Sequence, residues 1–94
     1  MRITDLVWLD EFVEKIETKP GVFQWEVDEV FTGGPKIRKM KKGRLRGEDV
    51  YRALGRTEAG RYLAVFFIHK QTDAALILSA RDMDGKERRI YAAK

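Results

Sequence analysis

The chain has 94 residues, of which 44% are hydrophobic and 36% charged, and it contains no cysteine. That length suits one domain over residues 1–94 with a single modest core, and the composition is that of a globular protein rather than a disordered one. Without cysteine there is no disulfide and no thiolate nucleophile, which fits a cytoplasmic protein. The opening residues contain no continuous apolar run, so we expect neither a signal peptide nor a membrane span.

Charge is distributed unevenly along the chain, although the formal net charge is only +4. The balance is −5 over residues 1–35, +7 over residues 36–46 and +2 over residues 47–94. This polarity is typical of a protein with a polyanionic partner, most simply nucleic acid. A lysine-rich edge strand that resists aggregation explains the same residues without any ligand. The charge pattern alone leaves both interpretations open.

The N-terminal third is predicted to form one short strand and two helices. A strand over residues 3–8 precedes a helix over residues 10–19, which the breaker pair Pro20-Gly21 ends. A second helix is predicted over residues 23–31. Its apolar positions are Phe23, Val27, Val30 and Phe31. Trp25 lies off that apolar face, where it either covers an edge or offers a contact surface.

The rest of the chain is predicted to be a sheet followed by one helix. Residues 36–41 are a candidate polar edge strand. Apolar strands are predicted over residues 50–56, 61–68 and 75–79, joined by hairpin loops. The last helix is predicted to begin near Asp82 and to run past Tyr91. The order β-α-α-β-β-β-α indicates an α+β fold, a mainly antiparallel sheet with two N-terminal helices and one C-terminal helix.

Several kinds of catalytic site are not indicated by the sequence. There is no glycine-rich phosphate loop of the required spacing. The single histidine, His69, ends a strand, and such a residue is more often a turn or surface residue than a catalyst. The acidic residues between positions 5 and 17 resemble a solvated helix face rather than a set of metal ligands. We therefore expect no metal and no cofactor.

Arginines near the ends of the predicted elements are the remaining candidates. Arg81 follows Ser79 by two positions, and strand alternation predicts that it shares a face with Ile77. On the last helix, Arg88 and Tyr91 are neighbours at i,i+3. Guanidinium groups hold phosphates bidentately and stabilise developing charge, and a carboxylate or phenol can transfer protons. Ordinary surface ion pairs, worth about 0–1 kcal/mol each, are the alternative explanation.

Two segments carry a family resemblance, YRALGRTEAGRYLAVFF (Tyr51 to Phe67) and ILSARDMDGKERRIY (Ile77 to Tyr91). They resemble the BrnT family of type II toxin–antitoxin toxins, whose members show A-x-G-R, then G-R-x-L-x-V, then I-S-A-R, then E-R-x-x-Y. Upstream, KPGVFQWEVDEVF (Lys19 to Phe31) is similar to the family's K-H-G-V and the short acidic helix after it. The ordered set extends over most of the chain, from about Leu6 to Tyr91.

The resemblance implies a RelE-like fold and metal-independent endoribonuclease activity that cleaves RNA and inhibits translation. It implies a BrnA-like antitoxin with a ribbon-helix-helix region as partner, and contact with operator DNA only through that complex. It implies no membrane partner. The positions that match the family's polar motif residues are Arg56, Arg81, Arg88 and Tyr91, with Glu87 and Lys19 as further catalytic candidates.

Further basic residues are candidates for RNA binding rather than for chemistry. They are Arg61, Lys36, Arg38, Lys39, Lys41, Lys42, Arg44 and Arg46. The chain departs from the family where Pro20 replaces the histidine of Lys-His-Gly. A catalytically weakened RNA-binding or protein-interaction module on the same fold is therefore the alternative function. A third possibility is that the arginines pair with Asp82, Asp84 and Glu87 and only brace the last helix.

Overall fold

The computed structural model describes residues 1–93, and the predicted α+β class is confirmed. In chain order the elements are β1 (Asp5–Val7), α1 (Asp10–Thr18), α2 (Gln24–Thr32), β2 (Lys36–Lys41), β3 (Val50–Arg56), β4 (Tyr62–His69), β5 (Ala74–Asp82) and α3 (Gly85–Ala92). The candidate edge strand is a full strand, β2, so four strands separate α2 from α3.

The strands form one mainly antiparallel sheet in the order β1-β5-β4-β3-β2. Strands β2 to β5 are antiparallel neighbours, and β1 pairs in parallel with β5. Strand β4 therefore lies at the centre of the sheet, which explains why its apolar residues occur on both faces. The polar strand β2 lies at one edge, where its charged side chains oppose pairing with another chain.

The two faces of the sheet are covered to different extents. Helices α1 and α2 pack on the first, which we call the covered face, and the main core there includes Val27, Val30 and Phe67. Helix α3 packs on the second, where a smaller cluster includes Leu54 and Ala64. We call this second face half-open, because α3 lies over one end of it.

A β-bulge decides which face Arg81 occupies. Phe66 pairs with Ser79 but Phe67 pairs with Ile77, so β5 contains one extra residue between these two positions. Ile77 joins the core of the covered face, whereas Arg81 stacks on Phe66 on the half-open face. The predicted shared face for Ile77 and Arg81 is wrong, because an extra residue inverts the alternation of side chains beyond it.

The start of the last helix also differs from the prediction. Strand β5 continues to Asp82, because the amide of Met83 donates to the carbonyl of Tyr62 at 3.0 Å and prolongs the pairing. Helix α3 then begins at Gly85, with Asp84 as its N-cap. Consequently Arg81 belongs to the strand and is not on one helix with Arg88.

The N-terminal elements are shorter or displaced relative to the predictions. Strand β1 covers Asp5–Val7, and α2 begins at Gln24. Phe23, predicted on the apolar face of α2, precedes that helix and is 44% exposed, because the helical repeat does not apply before the first turn. Trp25 is 55% exposed, and the two rings stack with their centroids 6.4 Å apart.

Candidate nucleic-acid interface

Helix α3 is capped at both of its ends. At its start, the carboxylate of Asp84 accepts from the amide of Glu87 at 2.8 Å, and Glu87 accepts from the amide of Asp84 at 3.0 Å. This reciprocal capping box satisfies two amides that the helix itself leaves unpaired. At its end, the ammonium of Lys36 donates to the carbonyls of Ile90 and Ala93, which is where a cation complements the helix dipole.

On one flank of α3, two arginines share a single carboxylate. Arg81 donates to both oxygens of Glu87, from Nη1 at 2.6 Å and from Nη2 at 2.9 Å. Nη1 of Arg52 lies 3.6 Å from Oε2 of the same Glu87. We call Arg52, Arg81 and Glu87 the ion-paired cluster. Its formal charge is +1, because one carboxylate faces two guanidinium groups.

The members of the ion-paired cluster differ in their exposure. The side chains of Arg52 and Glu87 are 9% and 5% exposed, whereas that of Arg81 is 40% exposed. Burial raises the pKa of Glu87, but the hydrogen bonds from Arg81 and from the amide of Asp84 outweigh it and hold that pKa below its ordinary value. Glu87 is therefore ionised and fully engaged, which disfavours it as a proton acceptor at neutral pH.

Arg52 is the functional candidate that the sequence reasoning missed. Its Nε–H is buried and has no hydrogen-bond partner among residues 1–93. The signal that could have found it is strand alternation, because Arg52, Leu54 and Arg56 follow one another at every second position of β3. A charged residue at the first of these positions, inside an otherwise apolar strand, indicates a buried cation that needs a partner.

On the other flank of α3, two arginines are held by an aromatic ring. The guanidinium carbon of Arg88 lies 4.0 Å from the ring centroid of Tyr62, and that of Arg56 lies 5.5 Å from it. The rings of Tyr62 and Tyr91 meet edge to face at 5.9 Å. We call these four residues the ring cluster. Within the described part of the chain, neither Arg56 nor Arg88 has a carboxylate within 4.0 Å.

The structure thus divides the predicted catalytic arginines between two places. Arg56, Arg88 and Tyr91 lie together in the ring cluster, and Arg81 with Glu87 lies in the ion-paired cluster. Arg56 pairs across the sheet with Tyr62, whereas Arg52 pairs with Phe66. The two arginines of β3 are four residues apart, about 13 Å along a strand. The predicted bracing of the helix by ion pairs therefore describes Arg81 but not Arg56 or Arg88.

Beyond the ion-paired cluster, the half-open face presents apolar side chains beside basic ones. Phe66 and Ile68 of β4 are partly exposed there. The guanidinium carbon of Arg81 lies 5.2 Å from the ring centroid of Phe66, and Arg38 of the edge strand pairs with Arg52. Ile68 and Val50 line a groove together with Glu48 and the basic residues between positions 41 and 44. Partly exposed apolar side chains beside basic ones suit an unstacked nucleobase and its phosphate.

Two residues of the basic segment 36–46 already have partners within the chain. Lys36 caps α3, and Lys39 lies 3.1 Å from the carboxylate of Asp49. Five other basic residues are exposed and form no ion pair with any residue that the structure describes. They are Arg38, Lys41, Lys42, Arg44 and Arg46.

Arg61, predicted to bind RNA, links the end of β5 to the start of α2 and to the loop before it. Its guanidinium donates to both carboxylate oxygens of Asp82, at 2.7 and 3.1 Å, and to Glu26 at 3.1 Å. It also donates to the carbonyls of Gly21 and Pro20, at 2.9 and 3.4 Å. These contacts engage all the donors of a guanidinium. The hydrogen bonds from Arg61 lower the pKa of Asp82, although its partial burial opposes them.

In the part of the chain that the structure describes, Lys19 forms no ion pair with a member of either arginine cluster. It follows the last residue of α1 and is exposed. The adjoining Pro20 and Gly21 contact Arg61, at the start of β4. Within residues 1–93, no ion pair involves Lys19, and no group of three or more histidine, aspartate or glutamate side chains is arranged to hold a metal ion.

Neither a scan against protein-family models nor a search of curated proteins returns a match for the chain. The motifs in the sequence are therefore the whole basis of the family resemblance. Among the described helices, none combines the length and the apolar character needed to cross a membrane.

Proposed function

We propose that this protein is a metal-independent endoribonuclease and the toxin of a type II toxin–antitoxin system of the BrnT kind, acting in the cytoplasm. The observation that carries the proposal is the ring cluster. Two guanidinium groups lie on one tyrosine ring without a carboxylate, and the ring of Tyr91 meets that same ring edge to face. A ring holds a guanidinium by its face and leaves the N–H donors free for a phosphate.

The proposed reaction is attack of an RNA 2′-hydroxyl on the adjacent phosphorus. The bond from phosphorus to the 5′ oxygen breaks, giving a 2′,3′-cyclic phosphate and a free 5′-hydroxyl. Arg56 and Arg88 stabilise the extra negative charge on the phosphoryl oxygens, and Arg81 holds a phosphate on the other flank of α3. Water accepts the 2′-hydroxyl proton, the phenol of Tyr91 donates its proton to the departing 5′ oxygen, and the phenol then recovers a proton from water.

The basic segment supplies the remaining affinity for RNA in this proposal. Its unpaired residues contact phosphates without reading sequence, so binding weakens as salt rises. Replacing Lys41 and Lys42 with alanine reduces the salt slope by about 0.7 for each phosphate that is no longer neutralised. Lys39→Ala, which removes a lysine already paired with Asp49, is the matched control and leaves the slope nearly unchanged.

Cleavage is tested directly on purified protein. We expect fragments of cellular RNA with 5′-hydroxyl ends, formed equally well with a metal chelator present. Arg88→Ala lowers the rate by about 10²–10³, because Arg88 stabilises charge in the transition state, whereas Arg81→Ala weakens RNA binding on the other flank of α3. Arg89→Ala removes an exposed arginine of the same helix and is the control. Equal rates for a folded Arg88→Ala protein and the control would contradict the assignment.

An RNA-binding module without cleavage is the second candidate function. It is favoured by the ion-paired cluster, in which Arg81 and Glu87 neutralise each other, and by the replacement of the family histidine with Pro20. This candidate predicts salt-sensitive RNA binding and intact RNA after prolonged incubation. Endoribonuclease activity predicts fragments in the same tube, so one experiment separates the two.

The antitoxin partner is tested in cells. We propose that a BrnA-like antitoxin with a ribbon-helix-helix region neutralises the protein, and that only the complex binds operator DNA. Expression of the chain alone is expected to arrest growth, and coexpression of such an antitoxin to restore it. Operator binding by the isolated chain would contradict this part of the proposal.

A further inference from the structure

The ion-paired cluster contains two guanidinium groups and only one carboxylate, so one positive charge is left without a partner. Glu87 gives Arg81 a bidentate pair, and Arg52 is left at 3.6 Å with its Nε–H unpartnered. Because Arg52 is 93% buried, as its 7% exposure implies, water compensates little of this deficit. Arg52, which is buried and needs the carboxylate more, therefore interacts with Glu87 less closely than the exposed Arg81 does.

The two arginines also differ in what they can reach. The side chain of Arg81 is 40% exposed and lies over the partly exposed ring of Phe66, so it can turn toward a ligand on the half-open face. Arg52 extends from the middle of β3 beneath α3 and has no such freedom. Glu87 is fixed by the capping box at the start of the helix. Only Arg81 can leave the cluster without moving an element of the fold.

We propose that Arg52 is a positioning residue that takes over Glu87 when Arg81 turns to an RNA phosphate. This inference rests on the proposed function. Without Arg52, the departure of Arg81 would leave a buried carboxylate unpaired, and burial without a partner penalises that charge heavily. With Arg52 present, Glu87 exchanges one guanidinium for another, and the phosphate supplies the negative charge that the cluster lacked.

The exchange makes the release of Arg81 depend on a residue that need not touch RNA. In the free protein, Glu87 holds Arg81 and keeps the half-open face less cationic. In the RNA complex, Glu87 pairs with Arg52, and Arg81 faces the phosphate. Arg52 is thus distinct from a phosphate ligand, and the two roles give opposite results in a double-mutant cycle.

The binding test uses a 2′-O-methyl oligoribonucleotide, which cannot be cleaved, and fluorescence anisotropy. We expect Arg52→Met to weaken binding about 10- to 100-fold, because Glu87 then retains Arg81. Arg89→Met removes the same charge from an exposed position on α3 and is expected to weaken binding no more than about threefold. Arg52→Lys, which keeps a cation beside Glu87, restores part of the affinity.

The cycle with Glu87→Gln separates positioning from direct contact. Glutamine retains the capping role at this position, and it is neutral, so it needs no replacement partner. If Arg52 acts through Glu87, Arg52→Met costs little further affinity in the Glu87→Gln background. If Arg52 itself contacts the phosphate, the full loss persists in that background and the inference is overturned. Thermal unfolding of each variant identifies any protein that has not folded.

The exchange also has a signature in the free protein, observable in ¹⁵N–¹H spectra of arginine Nε groups. In the Arg81→Gln variant, Glu87 becomes available to Arg52, so we expect the Nε signal of Arg52 to shift. Adding the oligonucleotide to the parent protein is expected to shift the Arg52 signal in the same direction. An unmoved Arg52 signal in Arg81→Gln overturns the exchange. If the parent protein does not bind the oligonucleotide, the proposed function fails, and this spectrum still decides whether Arg52 and Arg81 compete for Glu87.

Discussion

The two flanks of α3 hold their arginines by different physical means. In the ion-paired cluster, the buried Glu87 accepts two hydrogen bonds from Arg81, which removes those donors from use. In the ring cluster, Arg56 and Arg88 lie against Tyr62, and contact with a ring face uses no N–H donor. The first arrangement stabilises the helix through charge, and the second leaves cations ready for a ligand. Arginines on the two flanks therefore have separate roles.

The largest effect that distinguishes the two flanks is expected from Glu87→Ala. This change leaves Arg52 buried without its partner and removes half of the capping box. Loss of one partner of a buried ion pair typically lowers the free energy of unfolding by about 3–5 kcal/mol. Urea unfolding measures it. Glu14→Ala, on the exposed surface of α1, is the control, with a change within about 0.5 kcal/mol. If Glu87→Ala lowers the free energy of unfolding by less than about 1 kcal/mol, the two flanks do not differ in this way.

Of the two flanks of α3, only the ion-paired cluster is expected to respond to a change of pH. The pKa of Glu87 lies below its ordinary value of 4.5, so its pairing stabilises the fold above that pH and is lost as the pH falls through the lowered pKa. The free energy of unfolding should therefore fall less steeply with acid in Glu87→Gln than in the parent. Arg88→Met, in the ring cluster, should retain the parental slope. If the free energy of unfolding falls equally steeply with acid in the parent and in Glu87→Gln, charge pairing by Glu87 does not stabilise this flank.

A smaller effect is expected on the ring side, from Tyr62→Leu. The change removes the ring that contacts Arg56, Arg88 and Tyr91. Cation–π and edge-to-face interactions contribute roughly 0.5–1.5 kcal/mol each, so we expect a loss of about 1–2 kcal/mol with the side-chain volume largely retained. Tyr62→Phe keeps the ring and should unfold like the parent. If Tyr62→Phe and Tyr62→Leu lose equal stability, the ring face is not what holds these arginines.

The smallest effect is expected where β2 meets the end of α3. Lys36→Met removes the cation that donates to the last carbonyls of the helix. Such end charges are worth about 0.3–1 kcal/mol at exposed positions. Arg38→Met, two residues along the same exposed strand, should leave stability unchanged. Equal losses in both variants would indicate a general effect of charge on the edge strand rather than helix capping.

Most of the fold could be predicted from the sequence, because local signals there agree with the tertiary structure. The breaker pair Pro20-Gly21 separates the two N-terminal helices, as predicted. The apolar run of β4 predicts a central strand, and β4 is central. The start of α3 was misplaced, because the pairing of Met83 with Tyr62 is a long-range contact that local spacing does not reveal.

The candidate site was predicted less well, because partners determine what an arginine can do. Arg88 and Tyr91 were expected to be neighbours from helical spacing, and both lie in the ring cluster. Arg61 was expected to bind RNA, and its donors are instead used by Asp82, Glu26 and the carbonyls of residues 20 and 21. Nothing in the local sequence distinguishes Arg61 from Arg56, which has no such partner.

The sequence by itself determined the α+β class, the single sheet with its polar edge, and the concentration of cations in residues 36–46. These features depend on periodicity, breakers and composition, which are properties of short stretches. Only the tertiary structure decided that Arg81 lies on the half-open face, since one extra residue at the bulge before Ser79 inverts the alternation. It alone brought Arg52 beside Glu87, because the two lie 35 positions apart and meet only when α3 crosses the sheet.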